Sequence, residues 1–231
     1  MSTDNARQLN TEAEEYFSEA YQDVMYTGVI GFYSRLVHRL MDRPFKNSRT
    51  PVILEVGAGA GQHAPYTSTD FDTYYQSDIS PTLVDQQSPH DSRIVPIVAN
   101  AENLSDFGNN SVDRVVATCL LAHLDRPEKA LEEWRRVVKP GGTISIYLPS
   151  EPGILLRFLR HAAVAPKSKR HGQDHLAVVY RDHRNHYPGM KQMIRTVFGR
   201  DKVVRKRFPT RWLGWNLSLF EIVHITVGKT D

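Results

Sequence analysis

Residues 51–66 read PVILEVGAGAGQHAPY and set the architecture of the whole chain. Their first part, residues 52–56, is a short apolar run, which is typical of a strand buried on both faces. Glycines follow at positions 57, 59 and 61 and predict a sharp turn that leads into a helix. Such a turn lets the backbone approach a nucleotide-like ligand, and the N–H groups of the following helix would face that ligand. Because several nucleotide-binding folds share this turn, the rest of the chain must distinguish between them.

The composition is that of an ordinary globular protein. With 231 residues, 40% of them hydrophobic and 24% charged, the chain can build one sizeable α/β core. Its single cysteine, Cys119, excludes an internal disulfide and a cysteine-based zinc cluster. The N-terminus is polar and lacks the apolar centre of a signal peptide, and no stretch of about 18 uncharged apolar residues occurs. We therefore expect a cytoplasmic protein without a membrane span, either a monomer or a homodimer.

The small net charge of +3 hides an uneven distribution along the chain. Residues 1–150 carry 13 Lys and Arg against 20 Asp and Glu, whereas residues 151–231 carry 16 against 6. The basic residues either solvate the surface of the C-terminal part or receive an anionic acceptor there.

The part of the chain ahead of the first strand is predicted to be helical. Apolar side chains recur at helical spacing in residues 11–42, and Gly28 and Gly31 can separate two helices. Tyr16, Tyr21 and Tyr26 lie in this part, which is free to cover a pocket as a lid. Packing of these aromatic side chains on the sheet is the alternative.

Six more strands and two long helices are predicted after the glycine turn. The strands cover residues 73–77, 94–98, 112–118, 143–148, 202–208 and 219–227, and the helices cover residues 127–138 and 189–198. Strands that alternate with helices indicate parallel βαβ units with right-handed crossovers. A short connection with Pro, Gly and Trp joins the last two strands and favours an antiparallel pair.

Asp78 stands at the tip of the second strand, about 20 residues after the glycines, where an acidic residue can accept hydrogen bonds from two ribose hydroxyls. The alternative is that it caps the helix that begins at Pro81, but Ser80 fits that role better. We therefore predict that Asp78 binds a ribose.

Four stretches in this order resemble the class I S-adenosylmethionine-dependent methyltransferases, in particular the small-molecule enzymes related to quinone-biosynthesis methyltransferases. They are LEVGAGAG at 54–61, YYQSDISP at 74–81, ANAENL at 99–104 and SVDRVVATCLLAHLDRPEKALEEWRRVVKPGG at 111–142. An NAD-binding fold would have glycine at position 62, where this chain has Gln62. The resemblance implies a Rossmann-like α/β fold with helices on both faces. Its seven-stranded sheet would have the order 3-2-1-4-5-7-6, with the last strand antiparallel.

The resemblance also implies S-adenosyl-L-methionine as cofactor, S-adenosyl-L-homocysteine as product, and a set of binding residues. Glu55, Gly57, Ala58, Gly59 and Gly61 would surround the methionine part, with Asp78 at the ribose and Ile79 beside the adenine. The adenine would also meet Asn100, Ala101 and Glu102. At position 100 the family commonly has an acidic residue, and the amide oxygen of Asn100 can still accept the hydrogen bond. Thr118, Cys119 and Leu120 would lie near the sulfur, with Tyr16 and Tyr26 of the lid over the cofactor.

The acceptor is expected on the side of residues 151–188, which are basic and rich in histidine. His171, His175, His183 and His186 lie there, and most of them are expected to be exposed. Arg181, Arg184, Arg211 and Trp212 are predicted to bind a phosphate or a sugar face, with Tyr21 also on the acceptor side. His123 is the base candidate within the resembling core, although a structural hydrogen bond would also explain it. No metal site is predicted.

The sequence therefore predicts a single methyltransferase domain in residues 1–231. It is divided into a helical lid (1–50), a cofactor-binding core (51–150), a basic insertion (151–188) and a C-terminal helix with antiparallel strands (189–231). The predicted reaction is O-methylation of a small-molecule or glycan-type acceptor. An RNA methyltransferase is one alternative, although no Asn/Asp-Pro-Pro-Tyr-type motif follows the fourth strand. A non-catalytic protein that binds the cofactor or a partner is another.

Overall fold

The computed structural model describes residues 21–170, 172, 174–210 and 212–228, so Tyr16, His171 and Arg211 lie outside the described residues. The strands are β1 (Val52–Val56), β2 (Thr73–Asp78), β3 (Ile94–Val98), β4 (Val112–Thr118), β5 (Val138–Pro149), β6 (Lys202–Phe208) and β7 (Phe220–Thr226). The helices in these ranges are α1 (Tyr21–Tyr26), α2 (Gly28–Asp42), α3 (Pro81–Asp85), α4 (Pro127–Val137), α5 (Ile154–Leu159), α6 (Ala165–Arg170), α7 (His175–Asp182) and α8 (Tyr187–Val197). A π-helical turn, Arg160–Val164, joins α5 to α6.

The seven strands form one sheet in the order β3-β2-β1-β4-β5-β7-β6, which confirms the predicted order. β1 pairs in parallel with β2 on one side and with β4 on the other. β7 lies between β5 and β6 and is antiparallel to both, as predicted. Because the strand order reverses between β1 and β4, the loops after these strands diverge and leave a crevice at their carboxyl ends.

Helices cover both faces of the sheet. On one face, Trp134 of α4 and Met190 of α8 pack into the larger apolar core. On the other face, Met41 of α2 packs against Ile53 of β1 and Tyr74 of β2. Among the described helices, none combines the length and the apolar character needed to cross a membrane.

The predicted helix after Gly61 does not form. Only a 3₁₀ turn, Ala64–Tyr66, follows the glycines, and the chain then continues as a loop to β2. Pro65 has no N–H group to donate, and the N–H group of Ser68 donates to the Asp42 carboxylate instead of a helical carbonyl. The crevice is therefore lined at this point by loop backbone and not by a helix N-terminus.

Residues 151–188 are largely helical, although their sequence has weak periodicity. The helices α5, α6 and α7 and the π-helical turn account for most of this segment. Their buried face includes polar side chains, among them Ser168, His175 and His183, as well as apolar ones. A helix is recognised in a sequence from apolar residues that recur on one face. Because the buried face of these helices also carries polar residues, the helical periodicity in the sequence is weak.

A buried ion pair fastens α2 to the centre of the sheet. Arg114 lies in the middle of β4, and its guanidinium donates to the Asp42 carboxylate at the end of α2 at 2.5 Å. Both side chains are only 1% exposed. The guanidinium also donates to Ser145 Oγ at 3.1 Å and stacks over the Phe45 ring, 3.7 Å from its centroid. This ion pair holds α2, the helix that covers the crevice, against the sheet.

We predict that Asp42→Asn lowers the free energy of unfolding by about 3–5 kcal/mol, because it leaves the Arg114 charge buried without its counter-ion. Urea unfolding followed by circular dichroism measures the change. Asp70→Asn is the matched control, since Asp70 pairs with Arg49 at the exposed surface and its loss should cost less than about 1 kcal/mol. Equal effects of the two substitutions would contradict the role of the buried pair.

Candidate active site

A cavity of about 800 Å³ occupies the crevice at the carboxyl ends of β1, β2 and β4. This volume lies within the range of ligand-binding sites, roughly 300–1,000 Å³. Its mouth is marked by the lining residues Val29, Phe32 and Ile79, which are exposed. One end is lined by the glycine turn and Asp78, and the other by side chains of α5, the π-helical turn and α7.

The glycine turn forms one wall with its backbone. Gly57, Ala58 and Gly59 line the cavity, and both glycines have a positive φ, +66° and +56°. A Cβ added to Gly57 would lie 2.6 Å from Leu120 Cδ1, so a larger residue would displace the Leu120 side chain and strain the backbone. A Cβ at Gly59 would have Gln62 Oε1 as its nearest neighbour, at 3.6 Å, so the space beside Gly59 remains open. Gly61 is not part of the lining and packs against the Gln76 side chain.

The Asp78 carboxylate lies beside the glycine turn and lines the cavity. One oxygen accepts the Gly59 N–H at 2.8 Å, and the other accepts the Ser80 N–H at 3.0 Å. Ser80 caps α3, as predicted, by accepting the Leu83 N–H. Since each carboxylate oxygen has two lone pairs, Asp78 can accept further hydrogen bonds from a ligand.

Glu55, at the end of β1, is fully buried and is not part of the cavity lining. One of its oxygens accepts the Tyr74 hydroxyl at 2.9 Å, and the other has no hydrogen-bond partner in the described part of the chain. Burial raises the pKa of Glu55 from 4.5 to about 8, and the nearby Asp78 carboxylate adds to this increase. The predicted contact of Glu55 with the methionine part of the cofactor stays a prediction.

The segment predicted to meet the adenine is occupied with internal contacts. Asn100 Oδ1 accepts the Glu102 N–H at 2.9 Å, and the Ala101 carbonyl accepts the Trp134 indole N–H at 3.0 Å. The Glu102 carboxylate accepts the N–H and the guanidinium of Arg126, where α4 begins. These three residues do not line the cavity, whereas Ile79 does. Their roles at the adenine stay predictions.

The loop after β4 brings the predicted sulfur-side residues to the wall of the cavity. Thr118, Cys119, Leu120 and His123 all line it. Cys119 has a left-handed backbone, with φ of 64°, and starts the 3₁₀ turn Leu120–Ala122. Burial raises the pKa of the Cys119 thiol to about 11, so the thiol stays protonated at neutral pH.

Helices α1 and α2 cover the cavity, and Tyr21 and Tyr26 are part of its lining. The Tyr26 hydroxyl is 2.9 Å from His38 Nε2, and His38 Nδ1 is 3.0 Å from His63 Nδ1. Burial lowers the pKa of His38 to about 4 and that of His63 well below its ordinary value, so both rings are neutral. The Lys167 ammonium of α6 donates to the Val24 carbonyl of α1 at 3.3 Å, and this hydrogen bond connects α1 to α6.

A group of polar side chains lines the opposite end. His123, His175, His183 and Arg160 contribute to the lining, and the first three have pKa values lowered by burial to about 3. His183 Nδ1 is hydrogen-bonded to one oxygen of Glu151, and the Arg160 guanidinium contacts the other. The rings of His123 and His183 meet edge to face with centroids 4.4 Å apart.

The other predicted acceptor residues lie outside the cavity lining. Arg181 pairs with its neighbour Asp182, and Arg184 pairs with Asp125 at the surface. Trp212 is 82% exposed. Their predicted contacts with a phosphate or a sugar therefore stay predictions.

The structure adds residues that sequence reasoning did not single out, namely Glu151, Arg160, His38 and His63. The expected exposure of the insertion histidines is correct for His186 but wrong for His175 and His183, which are buried. Glu151 and His183 are 32 positions apart, and no local pattern in the sequence connects them. The abundance of histidine in residues 151–188 was the signal that could have pointed to this end of the cavity.

We predict that Glu55→Gln changes how stability depends on pH. Because the pKa of Glu55 is higher in the folded state, its favourable contribution is complete below pH 4.5 and is lost as pH rises towards 8. The amide that replaces the carboxyl group cannot ionise, so the variant should gain stability relative to the unmodified protein between pH 5 and 8. Thermal unfolding across this range measures the difference, and the exposed Glu128→Gln is the control. Parallel curves for Glu55→Gln and the unmodified protein would contradict the prediction.

The central part of the chain is similar in sequence to known methyltransferases. The model of a methyltransferase-domain family matches residues 54–146. The chain is 29% identical over 104 residues to thiol S-methyltransferase TMT1B of Rattus norvegicus, with 42% of each protein covered. It is also 29% identical over 110 residues to human arginine-hydroxylase NDUFAF5, mitochondrial, with 47% of this chain and 31% of that protein covered. Less than half of the length of these curated relatives is therefore matched.

The fold is shared more widely than the sequence. The carbon methyltransferase CurJ superposes with a TM-score of 0.61 at 14% identity, over 92% of this chain and 59% of that one. The narrower resemblance to quinone-biosynthesis enzymes stays a prediction. Residues 54–146 thus match a methyltransferase-domain family, and the strand order of the whole sheet is that of the Rossmann-like fold of solved methyltransferases.

Proposed function

We propose that this protein transfers the methyl group of S-adenosylmethionine to a hydroxyl group of a small molecule with an apolar body. One observation supports this most strongly: a single cavity joins the glycine turn and Asp78 to His123 and His183. A nucleotide-like cofactor and an acceptor can therefore meet in one place, next to Cys119. Bound S-adenosylmethionine would supply a methyl group already activated by a positively charged sulfur.

The residues at the cofactor end fit such a group. The open space beside Gly59 would admit the methionine part, and Asp78 has acceptor capacity left for the ribose hydroxyls. The protonated Cys119 thiol would not compete with the acceptor for the methyl group. With the reacting groups aligned, proximity and orientation can contribute roughly 7–11 kcal/mol towards the barrier.

The lining favours an apolar acceptor over a glycan. Most of the remaining surface of the cavity is aliphatic or aromatic, from the side chains of Met25, Ile30, Tyr33, Leu156, Leu159, Val164, Val179, Phe208 and Leu219. Polar groups are concentrated at the histidine end, where they can orient one functional group of the acceptor. His123, His175 and His183 are the histidines at this end of the lining that could take the proton of a hydroxyl acceptor.

The acceptor can be found by a mass-shift screen. Metabolite extracts and small sets of phenols, sugars and thiols are incubated with the protein and S-adenosylmethionine, and products heavier by one methylene unit are sought. We expect methylated hydroxyl compounds with an apolar body. Cofactor binding without any methylated product would favour a binding protein, and tight RNA binding with a steep salt dependence would favour an RNA methyltransferase.

We predict that Asp78→Ala weakens the binding of S-adenosylhomocysteine at least tenfold, because it removes a charged acceptor from the ribose hydroxyls. Isothermal titration calorimetry measures the affinity, and thermal unfolding checks that the variant is folded. Asp85→Ala is the control, since Asp85 is exposed at the end of α3 and should leave the affinity unchanged. Unchanged affinity in Asp78→Ala would mean that the ribose site is elsewhere.

A further inference from the structure

We propose that His183, oriented by Glu151, is the residue that takes the proton of the acceptor hydroxyl, and that His123 is not. This inference rests on the proposed function and assigns a role within the same cavity. It depends on the contacts of the two rings, which differ although both rings line the cavity.

The contact with Glu151 determines which nitrogen of His183 carries a proton. Nδ1 lies against a Glu151 oxygen, and a carboxylate can only accept, so Nδ1 is the protonated nitrogen. The ring is neutral because burial and the Arg160 charge lower its pKa to about 3. Nε2 therefore carries a lone pair, and within the described residues no hydrogen bond engages it.

Arg160 places a positive charge against Glu151 at this buried position. Its guanidinium contacts the carboxylate oxygen that does not face His183, and the Glu151 side chain is only 7% exposed. The pair is close to neutral as a whole, which reduces the cost of burying either charge. When His183 takes up a proton, the adjacent carboxylate stabilises the imidazolium and holds the ring in place, as in catalytic carboxylate–histidine pairs.

His123 has different contacts. Burial, His183 and Arg160 lower the pKa of His123, whereas the Asp182 charge and a hydrogen bond to the Asp182 backbone raise it. Because Asp182 raises the pKa of His183 as well, the feature that distinguishes the two rings is the direct contact of His183 with the Glu151 carboxylate. His123 instead packs edge to face on His183 and supports its orientation.

The chemical step balances with these groups. The acceptor oxygen forms a bond to the methyl carbon while the methyl–sulfur bond breaks, and the electron pair of that bond stays on the sulfur. The O–H bond of the acceptor breaks, and its proton moves to His183 Nε2. The positive charge of the donor is thereby replaced by a positive charge on the imidazolium, next to Glu151. Release of this proton to water restores the neutral ring.

The first test needs no acceptor and uses nitrogen-15 NMR of the histidine rings in the complete protein. At neutral pH we expect His183 to carry its proton on Nδ1 and none on Nε2. Glu151→Gln should disturb this tautomer, and Glu151→Asp should restore it. His90→Gln is the control, because His90 is exposed and lies outside residues 151–188, so it should leave the His183 signals unchanged.

The second test uses an acceptor from the mass-shift screen. His183→Gln should lower kcat by about 10²–10⁴-fold, the usual contribution of a general base, with less effect on the acceptor KM. His123→Gln should lower kcat less, and His90→Gln should leave it within about twofold. Affinity for S-adenosylhomocysteine, measured by calorimetry, should be the same in all three variants. Failure of the unmodified protein to bind S-adenosylhomocysteine would refute the proposed function and not only this assignment.

Three results would overturn the assignment. One is a His183 ring protonated on Nε2 at neutral pH, and another is a larger loss of kcat in His123→Gln than in His183→Gln. The third concerns a metal, because ligand atoms of Cys119, His123 and His183 lie within 4.8 Å of one another. Stoichiometric binding of Zn²⁺ in calorimetry, abolished by Cys119→Ser and by His183→Gln, would make His183 a metal ligand and not a base.

Discussion

The whole arrangement depends on the point where the strand order reverses, between β1 and β4. Parallel strands end at the same edge of a sheet, and only at this reversal do the following loops separate enough to leave a crevice. Gly57, Asp78 and Cys119 follow or end β1, β2 and β4, so each reaches the cavity through its position at a strand end. The chemistry proposed for this protein depends on these three positions being adjacent.

A second constraint is that most charged side chains around the cavity are paired with an opposite charge. The buried Asp42 and Arg114 neutralise each other, and Arg160 and Glu151 do the same at the acceptor end. The buried histidines are neutral, since burial lowers their pKa values. Apart from the Asp78 carboxylate, the charged side chains of the described lining are compensated, which favours an apolar acceptor beside the positively charged donor. Removing water under the cover formed by α1 and α2 would strengthen the interactions that remain.

Most strands could be predicted from their short apolar runs, although β5 begins at Val138 and not at the predicted residue 143. β1, β3, β4 and β6 have the predicted bounds, and the strand order follows from the resemblance. The prediction of a helix after Gly61 was wrong, because Pro65 and the Ser68–Asp42 hydrogen bond keep that segment as a loop. The helices of residues 151–188 were missed because their buried face carries histidine and serine. Glu151 and Arg160 could not have been assigned, since their contacts with His183 and each other form only in the folded chain.

A crystal structure of the protein with S-adenosylhomocysteine would test the proposed cofactor site, because the product marks the positions of the ribose and the sulfur. We expect the ribose hydroxyls at hydrogen-bond distance from the Asp78 carboxylate and the sulfur beside Cys119 and Leu120. We also expect the sulfur to face the part of the cavity that His183 lines. A ribose bound away from Asp78, or a sulfur separated from His183 by a wall of protein, would contradict this expectation.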